Sequence, residues 1–381
     1  MRIVKTDVLI VGAGPAGLAT AIGLAERGVD FVIVDAQAEA QNTSRAAVIH
    51  AATLETLQAL GLRDRIVARG IKVPHFRIRD RDRVIFETDF TTLPGATKHL
   101  VMIPQDETEA ILIDRLAELG HRVRRPVRLT GLTLSASGAV ADCEDDEGAL
   151  KIEARHVVGA DGQNSTVRAA AGIGFPGHTY GSFLLADVRM DWPVPRSEVT
   201  LYFAEAGTLV VAPMSQDRYR VVAQLADAPS HPSVADVQRV IDARGPRSGA
   251  RVREVLWGSR FQVHHKLSDR FHAGPVLLVG DAAHVHSPAG GQGMNLGLRD
   301  AVALSHALAE ALRTGSEAPL AAYAAERRAA AAEVLGMTDR LTRVATMSGR
   351  ARRWLRNRLI AAASLVPAIR RRAALRLAGF R

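Results

Sequence analysis

The chain is short of cysteine and of long apolar runs, and each shortage removes a class of protein from consideration. Among 381 residues there is a single cysteine, Cys143. One thiol builds neither an internal disulfide framework nor a cysteine-based zinc site, so a reducing compartment, the cytoplasm, is expected. No uninterrupted apolar stretch reaches the ~20 residues of a membrane-spanning helix. Met1 leads within a few residues into "TDVLIVGAG", with no separate apolar signal segment or cleavage site, so neither export by that route nor a spanning role is expected. Biased tracts are also missing, and 47% hydrophobic content reads as a globular chain of two domains or one composite body.

Acidic residues are missing from one region only. From Arg340 onward there are twelve arginines and no Asp, Glu or Lys, so this tail carries +12 of a net charge of +9 and the remainder carries 9 − 12 = −3. The basic character is local, and nucleic-acid binding by the body is not expected. In the tail, Arg alternates with Leu, Ile and Trp354 at helical spacing, interrupted by Pro367. Such helices either pack on an acidic body or lie on an anionic membrane; packing is the favoured expectation, with peripheral membrane contact as the other.

What the chain does have is a set of glycine-rich turns. "KTDVLIV" (5–11) is an apolar, β-branched run, followed by "GAGPAG" (12–17), the Ala/Leu-rich "LATAIGLAERG" and a second apolar run, "DFVIVD" (30–35). This reads as strand, tight turn, helix and strand. In that context Gly12 permits the turn, Gly14 lets the backbone approach a pyrophosphate, and Gly17 lets helix and strand pack closely. The helix N-terminus faces the anion, and Asp35 is placed to accept hydrogen bonds from a ribose diol.

Further on, "DETEAILIDRLAELG" (106–120) is an amphipathic helix with Asp106 and Glu109 in capping-box positions. Strands are expected at 127–134, 138–143 and 150–158, the last feeding "VVGADGQNSTVR" (157–168). Alternating segments between about 178 and 265 read as an antiparallel sheet inserted into the nucleotide-binding body. "GPVLLVGDAAH" (274–284) then returns to a buried strand, and 296–312 reads as helix. Three turns, 12–17, 159–168 and 280–295, thus place small residues and a carboxylate after buried strands, where ligands of open α/β sheets bind.

In "VGDAAHVHSPAGGQGMN" (279–295), Asp281, His284 and His286 imitate a metal triad. The two histidines stand two apart, unlike a helical pair, and no further His or Cys cluster supports them, so no metal is expected and a structural role is favoured over acid–base duty. His264 and His265, adjacent in a strand-like run, face opposite sides and read as ordinary strand residues.

Taken together these motifs resemble the FAD-dependent aromatic hydroxylases, single-component flavoprotein monooxygenases with the para-hydroxybenzoate hydroxylase fold. "GAGPAG" matches their dinucleotide fingerprint, "GADGQNSTVR" their DG motif and "GDAAHVHSPAGGQGMNLGLRDA" their GD motif, with "SRAAVIHAATLETL" and "PQDETE" between and "YAAERR" after. The resemblance covers roughly residues 5–330. It implies an α/β fold: a Rossmann-type FAD-binding domain (1–70, 107–177, 271–335), an inserted, mostly antiparallel β-sheet substrate domain (71–106, 178–270) and a basic helical C-terminal segment (336–381).

By the same resemblance Gly12, Gly14 and Gly17, with Pro15 and Ala16 between them, cradle the pyrophosphate and Asp35 holds the adenosine ribose. Arg45 reaches the flavin or pyridine nucleotide, Gln105 approaches the ribityl chain, and Asp161 supports the region used by both nucleotides. Asp281 binds the ribityl or pyrophosphate portion. Pro288, Gly290, Gly291, Gly293, Met294 and Asn295 lie against the isoalloxazine, where backbone N–H groups at a helix N-terminus suit an anionic reduced ring.

The implied activity is hydroxylation of an apolar aromatic compound, phenolic, polyketide-like or a quinone precursor. NADPH or NADH is the transient reductant and dioxygen the co-substrate, and the oxygen is delivered through a flavin hydroperoxide. No catalytic side chain is required, since the cofactor carries the chemistry. Topology places the substrate near Phe203, Val211, Pro213 and Met214. A flavin-dependent epoxidase or prenyl-chain-type reductase is the enzymatic alternative. A non-catalytic nucleotide-binding protein acting through its tail is the other class, and the intact "GGQGMN" loop argues against it. No Trp-x-Trp-x-Ile-Pro pattern is present, which argues against a tryptophan halogenase.

Overall fold

The computed structural model describes residues 2–39, 46–215, 217–288, 290–345, 347 and 349–380. Its helices are α1 (Pro15–Ala25), α2 (Ala51–Leu57), α3 (Arg63–Arg69), α4 (Gln105–Glu118), α5 (Thr166–Ala170), α6 (Val234–Arg244), α7 (Gly293–Thr314), α8 (Ala318–Ala345), α9 (Arg350–Ser364) and α10 (Pro367–Leu377).

The apolar runs that open the chain and precede each glycine turn become parallel neighbours. Arg2–Val11 lies between Phe31–Val34 and Gly148–Gly159, and Val276–Leu278 flanks the last of these. Buried on both faces, such strands are continuously apolar: Val8, Leu9 and Ile10 have no exposed surface. Antiparallel strands Gly138–Asp145 and Val127–Ser135, and the short edge strand His272–Ala273, complete this seven-stranded sheet. Helices α1 and α7 pack against one another over it, because small residues let them approach: a Cβ on Gly23 would lie 2.2 Å from Ser305 Oγ.

The alternating segments form an eight-stranded sheet in the order His284–Val285, Arg251–Leu267, Gly177–Asp191, Arg218–Gln224, Gly207–Ser215, Glu198–Ala204, His75–Asp80 and Arg83–Asp89. The pairing is antiparallel except that Glu198–Ala204 runs parallel to His75–Asp80. Period-2 alternation gives the sheet two different faces. Leu184, Tyr202, Leu209, Val211, Tyr219 and Val221 pack under α6, while Val199, Ala212 and Met214 meet Val73 and Met102 of a small third sheet, Val48–Ile49, Leu100–Met102 and Ile71–Val73.

Two local expectations are revised. Helix α4 starts one residue early, at Gln105, behind Pro104, which offers no side-chain cap. The capping box of Asp106 and Glu109 therefore does not form; Glu109 is buried and accepts instead from Gln105 Nε2 at 2.8 Å. A true box closes α6, where Ser233 and Asp236 cap each other. Helix α7 begins at Gly293, three residues before the periodic apolar pattern, because its first turn belongs to the glycine loop.

The Arg-rich tail folds back onto the body. Arg356 of α9 donates to the carbonyl of Val344 at 3.1 Å, and its guanidinium lies 4.1 Å from the centre of the Phe203 ring. Ala374 and Ala378 bury against Phe90, Leu93 and Leu100.

Candidate active site

Strand register brings the three glycine turns together. Val11 stands opposite both Val34 and Gly159, and Gly159 stands opposite Leu278, so four parallel strands end side by side. The turns that follow touch. A Cβ on Gly12, whose φ is +101°, would lie 2.3 Å from the Ala160 carbonyl oxygen, and one on Gly280 would lie 2.9 Å from the Ala16 methyl. Arg168, buried, donates to the carbonyls of Ala282 and Gln163, both at 2.9 Å, and so ties the second turn to the third.

At the first turn the residues present fit a dinucleotide. Gly14 has an extended backbone and nothing within 4 Å of where its Cβ would stand, so the main chain is open to a ligand. Helix α1 begins there with Pro15 in its first turn and no side-chain cap, which leaves its leading N–H groups pointing outward. Gly17, by contrast, is closed: its Cβ would stand 2.0 Å from the Gly12 oxygen. Asp35 follows the neighbouring strand, and its carboxylate accepts from Ala13 N at 2.7 Å and Gln37 N at 2.9 Å.

Beside it lies a residue that the motifs gave no reason to single out. Arg125 places its guanidinium 3.9 Å from Asp35 and donates to Ala13 O at 3.3 Å, while its buried Nε has no protein partner. A buried guanidinium N–H left without an acceptor at the mouth of a nucleotide turn suits a phosphate or ribose oxygen. Gln105 completes this corner: its Oε1 accepts from Ala46 N at 3.4 Å. Burial raises the Glu109 carboxyl above its usual range there. Arg45, expected to reach a nucleotide, lies outside the described residues.

Asp161 has local work. Its Oδ1 accepts from Ser165 Oγ at 2.5 Å, and its Oδ2 from the N–H groups of Thr166 and Val167 at 2.7 and 3.2 Å. It therefore caps α5 and shapes the second turn. Asp281, in the third turn, is exposed at the strand ends.

The Gly290–Gly293 loop is held from behind. Asn295 is buried, its Nδ2 donating to Val48 O at 2.9 Å and Gly291 O at 2.7 Å, its Oδ1 accepting from His50 N at 2.7 Å. Every polar atom of this amide is engaged by the backbone, so its effect on a ligand runs through the loop it holds. Gly290 and Gly291 have φ of +81° and +63°, and a Cβ on Gly291 would meet Val48 at 2.2 Å. Gln292 precedes α7 without a side-chain cap, so the N–H groups of a 22-residue helix are available at the loop. Met294 is half-buried on that first turn, and Pro288, exposed, accepts from Gly291 N at 2.9 Å.

The histidines divide by environment. His284 Nε2 is 2.7 Å from Asp300 Oδ2, whose Oδ1 receives Arg327 Nε at 2.5 Å. The three form a buried brace between the third turn, α7 and α8. His286 donates Nδ1–H to Ser287 O at 2.9 Å, and burial pulls it down to about 4. His50, buried, is likewise pulled to about 4, and its place in "SRAAVIHAATLETL" gave no chemical sign of it. Both imidazoles are neutral at physiological pH and flank the glycine loop without adding charge.

The residues expected to line the substrate region do not share a face. Met214 belongs to the face that meets the small sheet, and Phe203 stacks on Arg356. Val211 packs under α6, and Pro213 pairs across with Tyr219 of that same cluster. Alternation decides this, since odd and even positions of Gly207–Ser215 point oppositely.

Comparisons with known proteins agree with the geometry. The model of the FAD binding domain family matches residues 5–338. The chain is 36% identical over 343 residues to 6-methylpretetramide 4-monooxygenase of Streptomyces rimosus, an overlap that covers 88% of this chain and 61% of that protein. It thus spans about three fifths of that relative's length. Among solved structures, anhydrotetracycline hydroxylase from Streptomyces rimosus superposes with a TM-score of 0.82 at 32% identity, covering 98% of this chain and 76% of the other. In fold alone the chain also matches p-nitrophenol 4-monooxygenase from Pseudomonas putida, with a TM-score of 0.88, 24% identity and full coverage of both chains.

Proposed function

The chain belongs to the FAD binding domain family, and from that premise we propose that it is an FAD-dependent monooxygenase that hydroxylates an apolar, ring-containing substrate at the expense of NAD(P)H. The observation that carries the proposal is the convergence of three glycine turns, Gly12–Gly17, Gly159–Gly162 and Gly280–Asn295, at adjacent ends of parallel strands. FAD, once bound and reduced, supplies the oxygen-activating chemistry. The protein's part is to bind, orient and exclude water.

On this reading Gly14 and the first turn of α1 receive the pyrophosphate, with Asp35 and Arg125 at the ribose end. Asp281 serves the sugar-alcohol chain, and the loop from Gly290 to Met294 presents backbone N–H groups to the ring. With His50 and His286 neutral beside the loop, the positive potential there comes from those N–H dipoles. The seven-stranded sheet carries the nucleotide and the eight-stranded sheet the substrate, which meets the face of Met214 and Phe203 rather than that of Val211 and Pro213. The relatives' names, a pretetramide and an anhydrotetracycline enzyme, support a polycyclic polyketide-like aromatic as the substrate class.

The test is direct. Purified protein is expected to be yellow or to take up FAD, and to oxidise NAD(P)H faster in the presence of a polycyclic phenol, giving hydroxylated product. A colourless protein that takes up no FAD would sink the proposal. Substrate-stimulated oxidation yielding only peroxide would identify a mimic instead.

A further inference from the structure

Six of the eleven large exposed hydrophobic side chains among the described residues fall between Trp354 and Ile369. Trp354, Leu355 and Leu359 are 60%, 52% and 61% exposed, and Leu365, in the link between α9 and α10, is 80% exposed. The inner surfaces of these helices are accounted for. Arg356 covers Phe203, Asn357 donates to Asp80 at 3.1 Å and to Phe203 O at 3.3 Å, and Ala374 is buried. Docking on that side fixes what points outward. Positions 351, 354, 355, 358, 359 and 362, three or four apart, form one stripe on α9, with Leu365 and Val366 at its end and Ile369 beyond.

The stripe is set in cationic charge. Arg358 lies over the Trp354 ring at 4.9 Å, and Arg352, Arg371, Arg372 and Arg376 show no ion pair among the described residues. No acidic residue occurs after Asp339. A second copy of this face would bring like charge against like charge, which opposes self-pairing. An anionic lipid surface answers both features: its headgroups attract the arginines, and its acyl boundary accepts Trp and Leu side chains that water does not favour. No helix among the described residues is long and apolar enough to cross a membrane, so the contact is peripheral.

We infer that α9 and α10 form a membrane-docking surface, on which the protein lies with Trp354, Leu355, Leu359 and Leu365 in the interface of an anionic bilayer. The same helices hold the site side of the fold: Leu377 of α10 lies 3.8 Å from where a Gly290 Cβ would stand, and Arg299 donates to Gly379 O at 2.8 Å. An apolar compound dissolved in the bilayer would then be delivered beside the glycine loop. The docking itself does not depend on the proposed activity.

The experiment is co-sedimentation of the full chain with phosphatidylglycerol–phosphatidylcholine vesicles and with phosphatidylcholine vesicles alone, in about 0.1 M salt, using brominated lipid to quench tryptophan. Binding to the anionic vesicles only is expected, with quenching that disappears in Trp354→Phe although Trp192 and Trp257 remain. Leu355→Glu with Leu359→Glu is expected to weaken binding at least tenfold while circular dichroism and FAD uptake stay unchanged, since both side chains are on the outside. Three results would each overturn the inference: no binding to anionic vesicles, binding without quenching of Trp354, or a concentration-dependent dimer abolished by the same double variant.

Discussion

Asn295→Asp exchanges one NH2 group for an oxygen and leaves the shape of the side chain unchanged, so its effect isolates hydrogen bonding from packing. The acceptor bond from His50 N survives. Both donor bonds, to Val48 O at 2.9 Å and to Gly291 O at 2.7 Å, are lost. A carboxylate oxygen then faces two carbonyl oxygens in a position that is 2% exposed. Each buried carbonyl left without a donor costs about 1–3 kcal/mol, and the loop relaxes enough to recover part of it. A net penalty of about 2–3 kcal/mol on the ordered loop corresponds to a ~30- to ~150-fold shift in its population. On the proposed reading Gly290 to Gly293 meet the cofactor only when ordered, so FAD affinity should fall by a similar factor, read by titrating apoprotein and following flavin fluorescence. Asn295→Ala, which orphans three backbone groups but adds no charge, should weaken FAD by a comparable amount. If both variants bind FAD as tightly as the parent while unfolding cooperatively, the loop is not set by Asn295 and the account of the site is wrong.

Other outcomes follow from the same geometry. Gly14→Ala should leave the apoprotein's melting temperature nearly unchanged, because its backbone is extended and its Cβ would meet nothing, yet abolish FAD uptake; unimpaired uptake would remove the turn from the pyrophosphate site. Gly17→Ala places a methyl 2.0 Å from the Gly12 oxygen and should lose soluble, folded protein as well as cofactor. His50 and His286 sit at about 4 because they are buried, so between the ordinary value of about 6.5 and about 4 the unfolded chain binds protons that the folded one refuses. Stability should therefore fall as pH drops through that window, by at most about 1.4 kcal/mol per pH unit for each histidine, and His50→Gln should flatten the melting-temperature profile. Asp300→Asn leaves Arg327 buried beside a neutral amide and should cost about 3–5 kcal/mol in urea unfolding; a loss under about 1 kcal/mol would show that the brace to His284 holds nothing in place.

The parallel βαβ opening could be read from the chain because its signals are local and reinforce each other: an apolar run, glycines at fixed offsets, an Ala-rich helix and an acid at the next strand end. The same holds for the strands at Val127–Ser135 and Gly148–Gly159 and for the alternating sheet. The start of helix α4 is not legible in the chain, because Asp106 and Glu109 have capping chemistry and only the placement of Pro104 and the burial of Glu109 show that it is not used. Arg125 had no motif around it. The role proposed for it comes from standing across from Asp35, a neighbour that is distant in sequence.

The sequence by itself determined the elements and the chemical character of each turn, since backbone preference and side-chain periodicity act over a few residues. It also determined that positive charge is gathered after Arg340. Only the tertiary structure decided which residues share a surface. Strand register set Gly12 against Ala160 and Ala16 against Gly280, strand alternation put Met214 and Val211 on opposite faces, and helix docking turned Arg356 inward while leaving Trp354 and Leu359 outside. Those outcomes depend on contacts between residues far apart along the chain, where periodicity carries no information and packing alone selects among the faces that the sequence offers.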